Sequence, residues 1–129
     1  MKLPITLSGK VIKGNHIGTN LDMPTANIMP DPDVTDYPKG VYYSVAHIDD
    51  REYRSISNLG CKPTVNDTGV VNLETYIFDY EGELYGKEIK VTLLEFRRPE
   101  RRFKDLDELK ETVHRDFAAG RKYRNNGNS

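Results

Sequence analysis

Most of the chain reads as strands, because its apolar positions are mostly β-branched or aromatic and fall in short segments between polar and turn-forming residues. Segments 9–13, 41–48, 52–59, 70–79 and 88–96 are rich in Val, Ile, Tyr and Thr and are punctuated by Gly, Pro, Asp and Asn, which predicts a strand for each. Asp49-Asp50 and Glu81-Gly82 are expected to be hairpin turns, since both residue types tolerate positive φ. Pro30, Pro32 and Pro38 make residues 29–39 an irregular loop. Within the fourth segment, alternation places Val71, Leu73, Thr75 and Ile77 on one face, and Asn72, Glu74, Tyr76 and Phe78 on the other.

Late in the chain the period changes. Asp105 can cap a helix, with Glu108 three residues on completing a capping-box pattern. Leu106, Leu109, Val113 and Phe117 then fall near one face, and Gly120 is expected to end the run. Residues 121–129 are polar and read as a flexible tail. Short strands followed by one terminal helix predict a small antiparallel barrel or sandwich with the helix on its side or end. At 129 residues, with no internal repeat, the chain reads as one domain.

Composition narrows the partners. With 36% hydrophobic and 30% charged residues the chain has the balance of a soluble globular protein. A net charge of −1 provides no global positive field for nucleic acid or an anionic membrane, so anionic ligands would need a local site. The longest apolar runs, such as Val91-Thr-Leu-Leu94, are a few residues, and Met-Lys-Leu-Pro-Ile-Thr-Leu-Ser is not the apolar core of a secretion signal. The single cysteine, Cys61, fits a reducing compartment, and the cytoplasm is the expected location. Asn66-Asp67-Thr68 is accordingly read as a turn and not a glycosylated site.

The common catalytic signatures are absent. There is no Gly-x-x-x-x-Gly-Lys-Ser/Thr loop and no protein-kinase signature set. His16, His47 and His114 are scattered, and Asp31, Asp33 and Asp36 lack the glycine and final glutamate of a calcium loop. Three features remain. The first is a strand that enters a loop with Gly14 and Gly18 and leaves through Pro24-Thr25-Ala26-Asn27. Glycines admit phosphate oxygens close to backbone amides, and Thr and Asn offer neutral oxygens suited to Mg²⁺. Taken bare, a glycine turn followed by an ST- or Asx-type turn is the commoner explanation of such a string. The second is Glu74 beside two aromatics, either a solvated residue or a base in a pocket. The third is Arg97-Arg-Pro-Glu-Arg-Arg102 with Phe103, which is either a solvated basic loop or a place for a planar aromatic ligand.

Read in order, these pieces resemble the riboflavin kinase family, which stands alone in eukaryotes and forms the C-terminal half of bacterial FAD synthetases. The likeness covers nearly the whole chain: Pro4 and Gly9-Lys-Val, Gly14 and Gly18, Pro24-Thr-Ala-Asn27, Gly40-Val-Tyr-Tyr43, Asn58-Leu-Gly60 with Pro63-Thr64, Glu74-Thr, Leu84-Tyr-Gly86, and Arg98-Pro-Glu100 with Phe103. The resemblance implies a mainly β fold, a six-stranded antiparallel Greek-key barrel with a C-terminal helix. It implies transfer of the ATP γ-phosphate to the 5′-hydroxyl of riboflavin to form FMN, with Mg²⁺ as the metal. Thr25 and Asn27 inherit metal and nucleotide contacts, and Glu74 inherits the role of catalytic base. Gly14, Gly18, Ile77, Asp79 and Tyr85 fall on the nucleotide side, and Arg98, Arg101, Phe103 and Glu108 around the flavin. The implied partners are riboflavin, FMN, ATP and ADP, bound by a monomer, with no nucleic acid and no membrane. The chain departs from bacterial members at Thr19, Asp22 and Met23, where they usually carry Arg, Gly and an aromatic residue. Two other readings stand beside this one: the kinase half of a bifunctional FAD synthetase, and a flavin- or oligonucleotide-binding barrel without catalysis.

Overall fold

The computed structural model describes residues 3–12, 25–30, 36–62, 70–100 and 103–123. Along them run β1 (Ile5–Lys10), β2 (Thr25–Ile28), β3 (Gly40–Ile48), β4 (Arg51–Lys62), β5 (Val70–Ile77), β6 (Glu88–Pro99) and α1 (Leu106–Lys122). The six strands form one antiparallel sheet in the order β1-β6-β3-β4-β5-β2. Three consecutive strands, β3 to β5, pair as neighbours and β6 returns beside β3, which is the Greek-key arrangement.

Register shifts between Val41 and Tyr42 and between Tyr43 and Ser44 bend the β3–β6 pairing. The sheet curls until its two edges approach. Ile12 N donates to Asn27 O at 2.8 Å, and a Cβ on Gly9 would lie 3.0 Å from the Met29 carbonyl oxygen. Among the described residues the edges meet only over this short stretch, so the wall is a curled half-barrel. At the start of β3, Gly40 has φ of 153°, and a Cβ there would overlap the Arg98 carbonyl oxygen across the strand pair. The close approach of β3 to β6 therefore requires glycine.

The β3–β4 turn is the expected one. Asp49 and Asp50 sit at φ of 50° and 67°, as a two-residue hairpin loop with the sheet's twist demands. The other expected hairpin does not form. β5 and β6 are not neighbours, so the segment holding Glu81-Gly82 carries the chain across to the far side of β3. β5 stops at Ile77, and Asp79 at φ of 61° turns the chain away. The first strand occupies Ile5–Lys10 instead of 9–13, and only Leu7 in it is buried, so its alternation is faint. β2 has only four residues, too few to show a period in sequence.

Inside the barrel lie Leu7, Ala26, Ile28, Tyr42, Ala46, Leu59, Leu73, Ile77, Ile89, Val91 and Leu93. Four hydroxyls share this interior in a linear chain: Ser55 to Ser44 at 2.7 Å, Ser44 to Ser57 at 2.8 Å, and Ser57 to Thr75 at 2.8 Å. Outside, α1 covers part of the sheet through a second cluster of Val41, Ile56, Phe78, Val113 and Phe117. Asp105 caps the helix, its Oδ1 accepting from Glu108 N at 2.8 Å. Leu109, Val113 and Phe117 face the sheet as expected, whereas Leu106 is 52% exposed because the first turn overhangs the edge of the cluster. Gly120 does not end the helix, which continues to Lys122. A Cβ on Gly120 would come within 2.6 Å of Ile56 Cγ1, so this glycine is there for close packing. Tyr123 stacks on Tyr43 at 4.1 Å, which corrects the expectation that the flexible tail begins at residue 121. Residues 124–129 lie outside the described residues.

Gly40→Ala is expected to lower the unfolding free energy by about 2–4 kcal/mol, since both the φ and the Arg98 carbonyl oppose a side chain there. Urea denaturation of the purified variant beside the parent checks this.

Candidate functional site

Strand register alone assembles a row of candidate residues. Asn27 of β2 pairs with Glu74 of β5, Glu74 with Asn58 of β4, Asn58 with Val41 of β3, and Val41 with Arg98 of β6. Their neighbours Leu73, Thr75, Leu59 and Ser57 are fully buried inside the barrel, so the row lies on the outer face. It crosses five strands, about 19 Å at the usual interstrand spacing. Thr25, two residues before Asn27, pairs with Tyr76 on the same face.

The centre of the row is polar and half-buried. Tyr76 donates its hydroxyl to Glu74 Oε1 at 3.1 Å, and the ring meets Phe117 of α1 edge-on at 5.1 Å. Burial, and then the adjacent Glu74 carboxylate, push the Tyr76 hydroxyl well above its ordinary pKa, so it remains a donor at any physiological pH. Asn27 is 4% exposed, and its Oδ1 accepts from Asn72 Nδ2 at 3.2 Å. Two carbonyl oxygens beside Glu74, Asn58 Oδ1 and Asn72 Oδ1, are buried and accept no hydrogen bond among the described residues. A buried acceptor left unmatched costs about 1–3 kcal/mol, so the strip is suited to a ligand that brings hydroxyls or a hydrated cation.

Thr25 and Asn27 fit Mg²⁺ by donor chemistry. Both offer neutral oxygens from adjacent outer positions of β2, and one hydrogen bond to Asn27 Oδ1 leaves it a second lone pair. Among the described residues no cluster of three or more His, Cys, Asp and Glu side chains could hold a metal on its own, so a cation there would rely on phosphate and water for its remaining ligands.

The remaining expected residues scatter around this row. Ile77 points into the barrel core with no exposure, so any contact with a ligand would run through its backbone. Asp79 is on the turn after β5, with its carboxylate 3.8 Å from Arg121 Nη1. Tyr85 is 51% exposed, next to Gly86, whose N donates to Val11 O at 3.0 Å. This ties the Tyr85 turn to the residue just after β1. Gly14, Gly18 and Arg101 lie outside the described residues, as do Thr19, Asp22 and Met23.

Arg98 is not a free cation. Its Nη2 and Nε donate to Asp116 Oδ2 and Oδ1 at 2.7 and 3.1 Å, and Arg97 Nε donates to the same Oδ1 at 2.8 Å. Asp116 is buried on α1 and fastens the helix to the end of β6. Phe103 and Glu108 are half-buried on the approach to α1 and in its first turn, on this same β6–α1 side. Alternation sets Tyr76 on the face of Glu74, as the structure has it, but the sequence reading missed Asn58 and Asp116 as members of the neighbourhood. Nothing local in sequence announces their cross-element partners. A groove of about 910 Å³, lined by His47, Glu52, Lys90 and Thr92 among others, lies by the β3–β4 hairpin. His47 is six residues along β3 from Val41, about 20 Å from the row, and the groove holds none of the expected residues.

The family profile described as "Flavokinase: Riboflavin kinase" matches residues 1–124. The chain belongs to the riboflavin kinase family. Among its relatives, the RNA-binding riboflavin kinase of Bacillus subtilis is 33% identical over 112 residues, covering 87% of this chain and 48% of that one. The bifunctional riboflavin kinase/FMN adenylyltransferase of Escherichia coli is 35% identical over 122 residues, 93% of this chain and 38% of that one. The crystal structure of riboflavin kinase from Trypanosoma brucei superposes with a TM-score of 0.63 at 25% identity, covering 90% of this chain and 76% of that one. The chain thus spans less than half the length of the curated relatives it matches. The curled antiparallel wall with a C-terminal helix is the riboflavin kinase fold, as the likeness in sequence implied.

Asp116→Asn is expected to cost about 2–4 kcal/mol of stability, because two arginines lose their shared carboxylate while three-quarters or more buried. Thermal unfolding followed by circular dichroism measures it.

Proposed function

We propose that residues 1–129 form one riboflavin kinase domain that transfers the γ-phosphoryl group of ATP to the 5′-hydroxyl of riboflavin, giving FMN and ADP. The observation that carries this reading is the in-register row Asn27–Glu74–Asn58, with Thr25 beside it, on the outer face of a barrel of this family. A bond forms between the ribityl oxygen and the γ-phosphorus, the bond from that phosphorus to the β,γ-bridging oxygen breaks, and the hydroxyl proton passes to Glu74. Glu74 suits this part because its carboxylate is half-buried and held by Tyr76. Phosphoryl transfer depends mainly on alignment and charge neutralisation, and the base adds a smaller factor. Mg²⁺, held by Thr25, Asn27 and the nucleotide phosphates, would supply positive charge against the transferring group.

In this reading Gly14, Gly18, the Ile77 backbone, Asp79 and Tyr85 serve the nucleotide, and Arg98, Arg101, Phe103 and Glu108 serve the flavin. Of these, Asp79 follows the end of β5 near the Thr25–Tyr76 pair, and Arg98, Phe103 and Glu108 lie on the β6–α1 side. The unmatched carbonyls of Asn58 and Asn72 then face the ribityl hydroxyls or the hydrated metal. The same reading has the chain act as a cytoplasmic monomer, with no nucleic-acid or membrane partner. Among the described residues no helix is long and apolar enough to cross a membrane. A second reading, that this is the kinase half of a bifunctional synthetase, is favoured by its short coverage of such a relative and leaves the chemistry unchanged.

With ATP, Mg²⁺ and riboflavin, the isolated chain is expected to make FMN and no FAD, resolved by chromatography; a barrel that only binds flavin would consume no ATP. Glu74→Gln should lower kcat by about 10²- to 10⁴-fold with riboflavin and MgADP binding little changed by calorimetry. A fall under threefold would remove Glu74 as the base. Thr25→Ala and Asn27→Ala should abolish turnover at ordinary Mg²⁺ while the far-ultraviolet spectrum is kept, and near-normal activity in either would remove the metal assignment.

A further inference from the structure

We infer that Tyr76 is a positioning residue for Glu74, holding the carboxylate in the one orientation that serves phosphoryl transfer and fixing that orientation to helix α1. The inference rests on the reading of Glu74 as the base and adds a residue to it.

Tyr76 and Glu74 are two apart on β5, so both side chains leave the same outer face. A glutamate on a strand has three side-chain torsions, and a base must meet its hydroxyl within about 2.6–3.2 Å. Something has to select one rotamer. The Tyr76 hydroxyl does so directly, donating to Oε1 at 3.1 Å. Its own freedom is small, because the ring is wedged edge-on against Phe117 at 5.1 Å, and Phe117 meets Phe78 edge-on at 6.0 Å. The chain of contacts therefore runs from the helix core through a rigid phenol to the carboxylate. Phenylalanine would fill the same space, so packing against α1 does not explain the hydroxyl. A tyrosine whose only task was to cover the sheet would have no need of a bond to this carboxylate.

The test is a double-mutant cycle of Tyr76→Phe and Glu74→Gln, with kcat, both KM values and Tm measured for all four proteins. Tyr76→Phe retains the ring and should fold with Tm within about 3 °C of the parent, the shift expected for less than 1 kcal/mol in a domain this size. Its kcat should fall about tenfold while KM for riboflavin and for ATP stays within about twofold, since a slightly misplaced base costs rate more than binding. In the Glu74→Gln background, Tyr76→Phe should cause no further loss, because the group it positions is gone. An unchanged kcat in Tyr76→Phe, a loss confined to KM, or the same loss with and without Glu74 would overturn the inference. A parent chain that makes no FMN would instead overturn the functional reading beneath it.

Discussion

Strand register is the constraint on which everything else here depends. The side-chain period of a strand is two, so a slip of one residue between β4 and β5 would turn Glu74, Asn72 and Tyr76 into the apolar barrel and Leu73 and Thr75 out of it. That slip is opposed from both sides. Inward, Leu59 and Leu73 oppose each other, and Ser57 and Thr75 share a hydrogen bond. Outward, Ile56 and Tyr76 face the helix. The core thus sets the chemistry indirectly, because the residues that stabilise the barrel also decide which polar groups line up on its outside.

The helix lies over one part of the sheet and leaves the polar row outside its apolar contact. Its apolar stripe covers Ile56, Phe78 and Val41, and the row from Asn27 to Asn58 runs beside that cover. Asp116 is the fastening. One buried carboxylate accepts from two successive arginines, which fixes the rotation of α1 relative to β6 as well as its distance. Arg97 also reaches the Tyr43 hydroxyl at 3.0 Å, and Tyr43 in turn stacks on Tyr123 beyond the last turn. Helix and sheet are therefore joined by apolar contact along the middle and by directed polar contact at one side.

The legible part of the fold was the part with strong alternation. The segments read as 41–48 and 70–79 match β3 and β5 to within one or two residues at an end, and the two faces read for residues 71–77 are those the structure shows. β1 and β2 were not legible, since one buried residue or four residues in all carry too little pattern. The Glu81-Gly82 turn has hairpin chemistry, but whether a turn joins neighbouring strands depends on sheet order, a long-range property. For the site, Thr25, Asn27 and Glu74 came from the resemblance, and their adjacency came from the structure. Arg98 shows the opposite limit. Its sequence neighbourhood suggested a solvated loop or a place for an aromatic ligand, whereas its partner Asp116 lies on a different element.

The hydroxyl chain in the barrel interior has a consequence for how the sequence can drift. Ser55, Ser44, Ser57 and Thr75 lie on three strands, and each inner member bonds two others. Changing Ser57 alone to alanine would take from Thr75 its hydroxyl partner and leave Ser44 only its bond to Ser55, whereas replacing all four with small apolar groups could be close to neutral. Intermediate sequences are worse than either end point. Positions far apart in the chain are thereby bound to vary together, and relatives of this protein should divide into those that keep the whole hydroxyl set and those that have lost all of it.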